Sequence, residues 1–301
     1  GLWPLLAARC LWGVAWTLLR LGAYFTILEY ANDNNRGHFM GTYNGLFRLG
    51  SLVGMLLGGL LADMFGLKTV SLVFAAISAC SLPCVFLFIP NTRFYEQPKP
   101  ATGWSTLKTL RQRPVVRAML TGLIIAMIYQ GVFNSTLSHL IKSLYSEALV
   151  LGSLVIGAAS LAGVIQAVRW CWEPWLTPWF GKRSDKGSGR ASLLTATLLL
   201  ATVLFAIIPV KLPISFCLCL LLALQATATI LTTLADAVAS DAAAATSKSI
   251  MTAYSLITDL GAALGPLAGY LINQALDVEY TYWFAALSLG LLAVKWLTAS
   301  K

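Results

Sequence analysis

"RLGSLVGMLLGGLLADMFGLK", from Arg48 to Lys68, and "DLGAALGPLAGYLI", from Asp259 to Ile272, read as two copies of one helix. Each carries a ladder of glycines four apart: Gly50, Gly54 and Gly58, then Gly261, Gly265 and Gly269. The residue two before the first glycine is Arg48 in one copy and Asp259 in the other. Outward from the ladders the match continues. Met40 answers Met251, and Tyr43 answers Tyr254. One span later "FAAIS" at Phe74–Ser78 answers "FAALS" at Phe284–Ser288. One span earlier "TILE", ending at Glu29, answers "TLAD", ending at Asp236. Small residues are common at contacts between membrane helices, so one ladder can recur by chance. Matching spans in the same order point instead to an internal duplication.

Composition fixes the solvent. Of 301 residues, 58% are hydrophobic and 11% charged, against roughly 25% charged in a soluble domain. Apolar runs near the ~20 residues that cross a bilayer recur along the whole chain. The expected fold class is an all-α polytopic membrane protein with nine transmembrane helices. Reading apolar runs against turn signals places them at 3–28, 42–62, 69–90, 115–137, 149–170, 191–210, 212–235, 250–274 and 281–299.

The formal charge of +9 does not signal a nucleic-acid partner, because the basic residues fall in alternate loops. Arg36, Arg93 to Arg113, Lys182 to Arg190, Lys248 and Lys301 lie on one side, against Lys68, Lys142 and Lys211 on the other. By the positive-inside rule the first set is cytoplasmic. Trp170, Trp172, Trp175 and Trp179 cluster beside an inner loop, as interfacial aromatics do. The six cysteines sit mostly in apolar runs and read as small hydrophobes. No HExxH or CxxC is present, so neither a metal nor a cofactor is expected. The polar, basic, proline-bearing stretch 91–114 reads as a linker between three spans (1–90) and six (115–301).

The arithmetic of the duplication implies six spans plus six, with three preceding Gly1. Gly1 stands in place of Met and Trp3 is already in an apolar run, so the chain reads as cut at its N-terminus. On that reading the 301-residue piece alone would not transport. Equivalent spans point the same way, which is a parallel repeat about an axis normal to the membrane.

At this point the chain resembles the major facilitator superfamily of secondary transporters, from the fourth helix of that fold to its twelfth. "RCLWG", Arg9 to Gly13, resembles the family's Arg-x-x-x-Gly signature in the fourth helix. "RGHFMGTYNGLFRLGSLVGMLLGG" resembles the passage into its glycine-rich fifth helix. "GKRSDKGSGR", Gly181 to Arg190, is similar to the cytoplasmic motif Gly-x-x-x-Asp-Arg-x-Gly-Arg-Arg, with Lys186 where the motif has Arg. The resemblance implies an incomplete fold: three helices of the first bundle and all six of the second.

Several residues are candidates for function. Arg48 and Asp259 would sit at equal depth above the cytoplasmic face and could bond across the seam between halves. The alternative is that Arg48 snorkels to the interface and Asp259 meets a hydroxyl. An unpaired Arg at the bilayer centre costs about 2.5–3.5 kcal/mol on insertion scales. Arg9 and Arg20 share a face of the first span and suggest an anion site. The family offers another role, in which Arg9 tunes a proton-carrying carboxylate elsewhere. Tyr129, Gln130 and Asn134 fall in the fourth span, and Gln130 and Asn134 are one α-turn apart. That span is the family's seventh helix, which borders the central cavity. Gln166 and Gln225 are further cavity candidates, or helix–helix hydrogen bonders. The resemblance implies that Asp185, with Lys186 and Arg190, caps helix ends in a conformational network that also takes in Asp236. Glu29 is the counterpart of Asp236. The glycine ladders read as a sliding contact between the halves, or as plain close packing.

The expected activity is alternating-access transport of a small molecule, with efflux coupled to the proton gradient as the first reading. The alternatives are uptake of a sugar or organic anion by the same fold, or a membrane sensor or scaffold. No cluster of nucleophile, metal ligands or paired carboxylates suggests an enzyme. A monomer in the bacterial plasma membrane is expected, its partners being the substrate, a coupling proton and the lipid bilayer.

Overall fold

The structure is a computed structural model that describes residues 2–32, 34–65, 67–88, 111–145, 148–151, 154–185, 189–210, 212–247 and 249–299. Among these residues the chain is an all-α polytopic membrane protein with nine helices in order: α1 (Leu2–Tyr30), α2 (Arg36–Phe65), α3 (Leu67–Phe88), α4 (Arg113–Tyr145), α5 (Ala158–Ser184), α6 (Gly189–Ile207), α7 (Ile214–Ala245), α8 (Ser249–Ala275) and α9 (Val278–Ala299). Beside them stands one short antiparallel hairpin, Ala148–Leu151 with Leu154–Gly157. The expected linker at 91–114 lies mostly outside the described residues.

Six helices, α1, α4 and α6 to α9, are long and apolar enough to cross a membrane. α3 adds a shorter apolar stretch, Lys68–Pro83. α2 and α5 are more polar because each turns a charged face inward, Asn44 and Arg48 from one, Arg169 and Glu173 from the other. Exposed apolar side chains such as Leu11, Leu18, Leu72 and Leu291 give the outside the character of a lipid-facing surface.

Element existence follows the sequence expectation, but boundaries differ where they matter. The fifth span begins at Ala158, because the hairpin occupies its expected start. It runs on to Ser184, through Pro174 and Pro178, so the tryptophan cluster is helical. The seventh runs on to Ala245, so Asp236 lies well inside α7 and not at its end. α4 contains a π-helical stretch, Ala126–Phe133. A π turn closes i to i+5 and holds more residues than the 3.6 of an α-helix, so the faces before and after it no longer align.

The main core lies wholly in α4 to α9. Tyr129, Phe133, Phe205 and Tyr282 pack edge to face there, with ring centroids 5.4 Å apart for Tyr129–Phe205 and 5.8 Å for Phe133–Phe205. Edge-to-face contact suits the ring quadrupoles. A second, smaller cluster joins the parts of the chain, with Tyr24 and Met40 from α1 and α2 packing on Val115, Ala239, Met251 and Tyr254.

Two helix pairs approach closest, and glycine permits both. A Cβ on Gly265 of α8 would collide with the backbone of Met127 and Gly131 in the π-helical stretch of α4. In α2, Gly41 abuts the Thr177 backbone, and a Cβ on Gly45 would come within 2.9 Å of Pro174 Cα in α5. The second ladder, Gly261, Gly265 and Gly269, therefore packs α8 on α4, within the later part of the chain. Among the described residues nothing would lie within 4 Å of a Cβ on Gly50 or Gly54 of the first ladder, and the surroundings of Gly58 lie outside those residues. The expectation of a sliding contact between halves along these ladders is corrected accordingly. The small-residue seam between α2 and α5 is formed instead by Gly37, Gly41 and Gly45, nearer the start of the same helix.

Candidate functional site

α1 and α2 on one side and α4, α5, α7 and α8 on the other enclose a cavity of about 200 Å³. Its wall is unusually polar for the middle of a helical membrane protein. Charges there must be paired or hydrogen-bonded to persist.

Arg20 reaches from α1 to Asp259 of α8 in a two-pronged ion pair. Nη2 stands 2.6 Å from Oδ2, and Nη1 donates to Oδ1 at 3.0 Å. The planar guanidinium matches a carboxylate in just this geometry. The expected Arg48–Asp259 pair is not formed. Arg48 turns to Glu173 of α5, with Nε 3.1 Å from Oε2. Glu173 also accepts from Arg169 Nε at 2.7 Å and from the Thr229 hydroxyl at 3.3 Å. The physical reason for the exchange is α5: its helical continuation carries Glu173 into the cleft, nearer to Arg48, and Asp259 is left to the longer reach from α1.

Asp236 was expected in the cytoplasmic network, and the structure puts it in the cavity wall instead. Its carboxylate accepts from the Tyr254 hydroxyl at 2.9 Å, from Asn44 Nδ2 at 2.8 Å and from the Tyr24 hydroxyl at 3.4 Å. One carboxylate thus ties together α1, α2, α7 and α8. Beyond it in the same helix, Asp241 pairs with Arg36 at 3.0 Å and with Arg190. Four residues lie between the two aspartates, and α7 continues through both.

Asp185 caps the N-terminus of α2 from the far end of α5. It accepts from the backbone N–H groups of Gly37 at 2.9 Å and His38 at 3.0 Å, and it also pairs with Arg190. The first N–H groups of a helix lack internal partners and favour an anion. Asp185 and Arg190 do come together, then, while Lys186 lies outside the described residues. Glu29 is exposed on the last turn of α1.

The remaining cavity candidates divide. Gln130 lines the cavity. Tyr129 is fully buried in the core, its hydroxyl 2.8 Å from Thr227 Oγ1. Asn134 does not share the wall with Gln130, since the π turns between them shift the face. Its backbone carbonyl lies 3.5 Å from Gln166 Nε2, at a contact of α4 with α5. Gln225 is buried within the later bundle. Arg9 lies in α1 with its side chain outside the described residues.

Sequence reading missed Glu173, Asp241, Tyr24, Asn44 and Tyr254 as site residues. Arg169 and Glu173 carried a signal, an i, i+4 pair of opposite charge in an apolar run.

A cleft crossed by ion pairs between lipid-facing helices defines the class: a polytopic membrane protein organised round an internal polar cavity. The chain belongs to the major facilitator superfamily of transporters, whose family model, Major Facilitator Superfamily, matches residues 1–172 and 174–301. It is similar to the Multidrug resistance protein MdtG of Proteus mirabilis (strain HI4320), 26% identical over 213 residues, covering 70% of this chain and 50% of that protein. It is also similar to an Uncharacterized MFS-type transporter of Yersinia pestis (strain Pestoides F), 27% identical over 138 residues, covering 46% of this chain and 35% of that protein. The chain therefore spans half the length, or less, of these curated relatives.

Proposed function

We propose that the chain serves alternating-access transport of a small molecule, with efflux driven by the proton gradient, in the plasma membrane of a bacterium. Residues 1–90 and 115–301 act as the two rocking parts, joined by 91–114, and the protein works as a monomer. The single observation that carries this reading is the cavity itself. It is walled by α1 and α2 on one side and by α4, α5, α7 and α8 on the other, and the bonds crossing it are ion pairs and hydrogen bonds. Such bonds can separate and re-form at modest net cost.

The seal at one end supports the same reading. Asp185 on the α2 N-terminus, with Arg190 and Arg36 on Asp241, joins α2, α5, α6 and α7 at the end expected to face the cytoplasm. The conformation is thus closed inward. Asp236, in contact with four helices, is the group proposed to carry the coupling proton. The multidrug name of the Proteus relative favours efflux over uptake.

Counterflow into proteoliposomes containing the full-length protein tests the proposal. A panel of labelled amphipathic drugs, with and without an imposed pH gradient, should show exchange that accelerates outward with the gradient. No exchange of any member by protein that is folded would remove transport. Exchange indifferent to the gradient would remove the coupling.

A further inference from the structure

We propose that the outer face of α5 binds an anionic phospholipid at the cytoplasmic membrane surface. Lys182 and Arg183 hold its phosphate, and its acyl chains lie along Trp175 and Trp179. The inference stands apart from transport and needs only the orientation that the loop charges give. Helix geometry separates the two sides of α5. Pro174, Thr177 and Gly181 face α2, where a Cβ on Gly45, Gly41 or Gly37 would meet them. An α-helix turns about 100° per residue, so Trp179 stands roughly 200° round the axis from Thr177. Trp175 comes four residues before Trp179 and Arg183 four after. That spacing puts the three side chains in one stripe, away from the seam with α2. Exposure agrees: Trp175 is 72% exposed and Trp179 57%, and Lys182 and Arg183 are exposed beside them.

Depth and charge point to the occupant. Trp179 is six residues before Asp185, whose carboxylate caps the start of α2. At 1.5 Å of rise per residue it lies about 9 Å from that end of the helix. Exposed tryptophans at this distance from a helix end mark the membrane–water interface. Arg183 stays in that layer, its guanidinium 5.9 Å from the centre of the Trp179 ring. The ring face attracts the cation and steadies it at headgroup level. Among the described residues neither Lys182 nor Arg183 has an acid within ion-pair distance. The nearest carboxylate in sequence, Asp185, is 2% exposed in its side chain and is taken by Arg190 and by the N–H groups of Gly37 and His38. Two adjacent cations on a lipid-facing surface therefore draw their anion from outside the chain. At this depth that anion is a phospholipid phosphate. The exposed rings beside them favour a ligand with acyl chains, which a soluble phosphate lacks.

Native mass spectrometry of the purified full-length protein tests this, with phosphatidylglycerol and phosphatidylethanolamine of the same acyl chains added in detergent. The unmodified protein should bind phosphatidylglycerol about tenfold tighter or more. Lys182→Gln or Arg183→Gln should each lower that preference about fivefold, and the two together should abolish it. Trp179→Leu removes the ring beside Arg183 and keeps an apolar side chain, and it should lower the preference about twofold. Lys295→Gln, which removes an exposed cation of α9, should leave it unchanged. Equal binding of the two lipids by the unmodified protein overturns the proposal, and that comparison needs no variant to fold. So does a preference that survives the double substitution in folded protein, or one that Lys295→Gln lowers as much. Displacement of the lipid by an equal concentration of glycerol 3-phosphate would overturn it in favour of a free phosphate. No arm reads counterflow, so failure here leaves the transport proposal standing.

Discussion

Arg20 and Asp259 were both legible as functional residues, and their partnership was not. Sequence spacing aligned Arg48 with Asp259 through the duplication, but equivalent positions in a repeat share depth, not necessarily a bond. The choice between partners is made by α5, which brings a third acid, Glu173, within reach of Arg48. Reversing the Arg20–Asp259 pair tests the assignment: Arg20→Asp and Asp259→Arg should each abolish most exchange, and the double reversal should restore a large part of it. Combining Arg48→Asp with Asp259→Arg should restore nothing, because those two do not meet. Glu173 gives a stability prediction. It is 2% exposed and faces two arginines, so Glu173→Gln leaves buried positive charge uncompensated. The expected cost is about 3 kcal/mol, read as a lowered midpoint in thermal or denaturant unfolding in detergent. The reading of "WEPW" as loop hid this residue. Two prolines within five residues argue for a helix end in a soluble protein. In a bilayer a proline inside a helix is tolerated where neighbouring helices pack on it, and here the Thr177 hydroxyl ties α5 to α2, donating to the Gly41 carbonyl at 2.7 Å and to that of Glu173 at 2.7 Å.

For the elements, hydropathy located every helix among the described residues because a bilayer permits few other structures, and it misjudged ends because polar faces need not mean loops. α5 and α7 both continue where charge suggested that they stop, and the continuation creates the site. The glycine ladders were visible as pattern, but pattern does not say which face has a partner. Ala substitutions separate the ladders cleanly. Gly265→Ala forces a methyl group onto the backbone of α4 and should destabilise by about 1–3 kcal/mol. Gly54→Ala, on an open face, should leave the unfolding midpoint within measurement error. Gly41→Ala should act differently again, loosening the α2–α5 seam more than the bundle core. Its signature is increased reactivity of a cavity-wall cysteine from the cytoplasmic side together with a lowered unfolding midpoint, since the methyl would meet the Thr177 backbone.

The duplication carried the overall reading, since it joined short similarities into a family resemblance across the chain. It could say nothing about conformation. The proposed seal of Asp185, Arg190, Asp241 and Arg36 draws on α2, the end of α5, α6 and α7. A cysteine at Thr232, which lines the cavity, reports on it. In a background lacking native cysteines, a membrane-impermeant maleimide should label Thr232→Cys from the outer face faster than from the cytoplasmic face. Adding Asp185→Asn, which weakens the cap on α2, should shift that ratio toward the cytoplasmic face. An unchanged ratio would argue that the cluster holds topology and not a gate.

The wide turns of α4 have a consequence of their own. A π stretch holds slack: it accommodates more chain per revolution than its neighbours, and that surplus can migrate along the rod without moving either end. Sliding it by a few positions would swivel the side chains between, retiring Gln130 from the cleft and presenting a neighbour in its stead. In the helix pinned against Gly265, which group faces the cleft thus depends on where the wide turns fall.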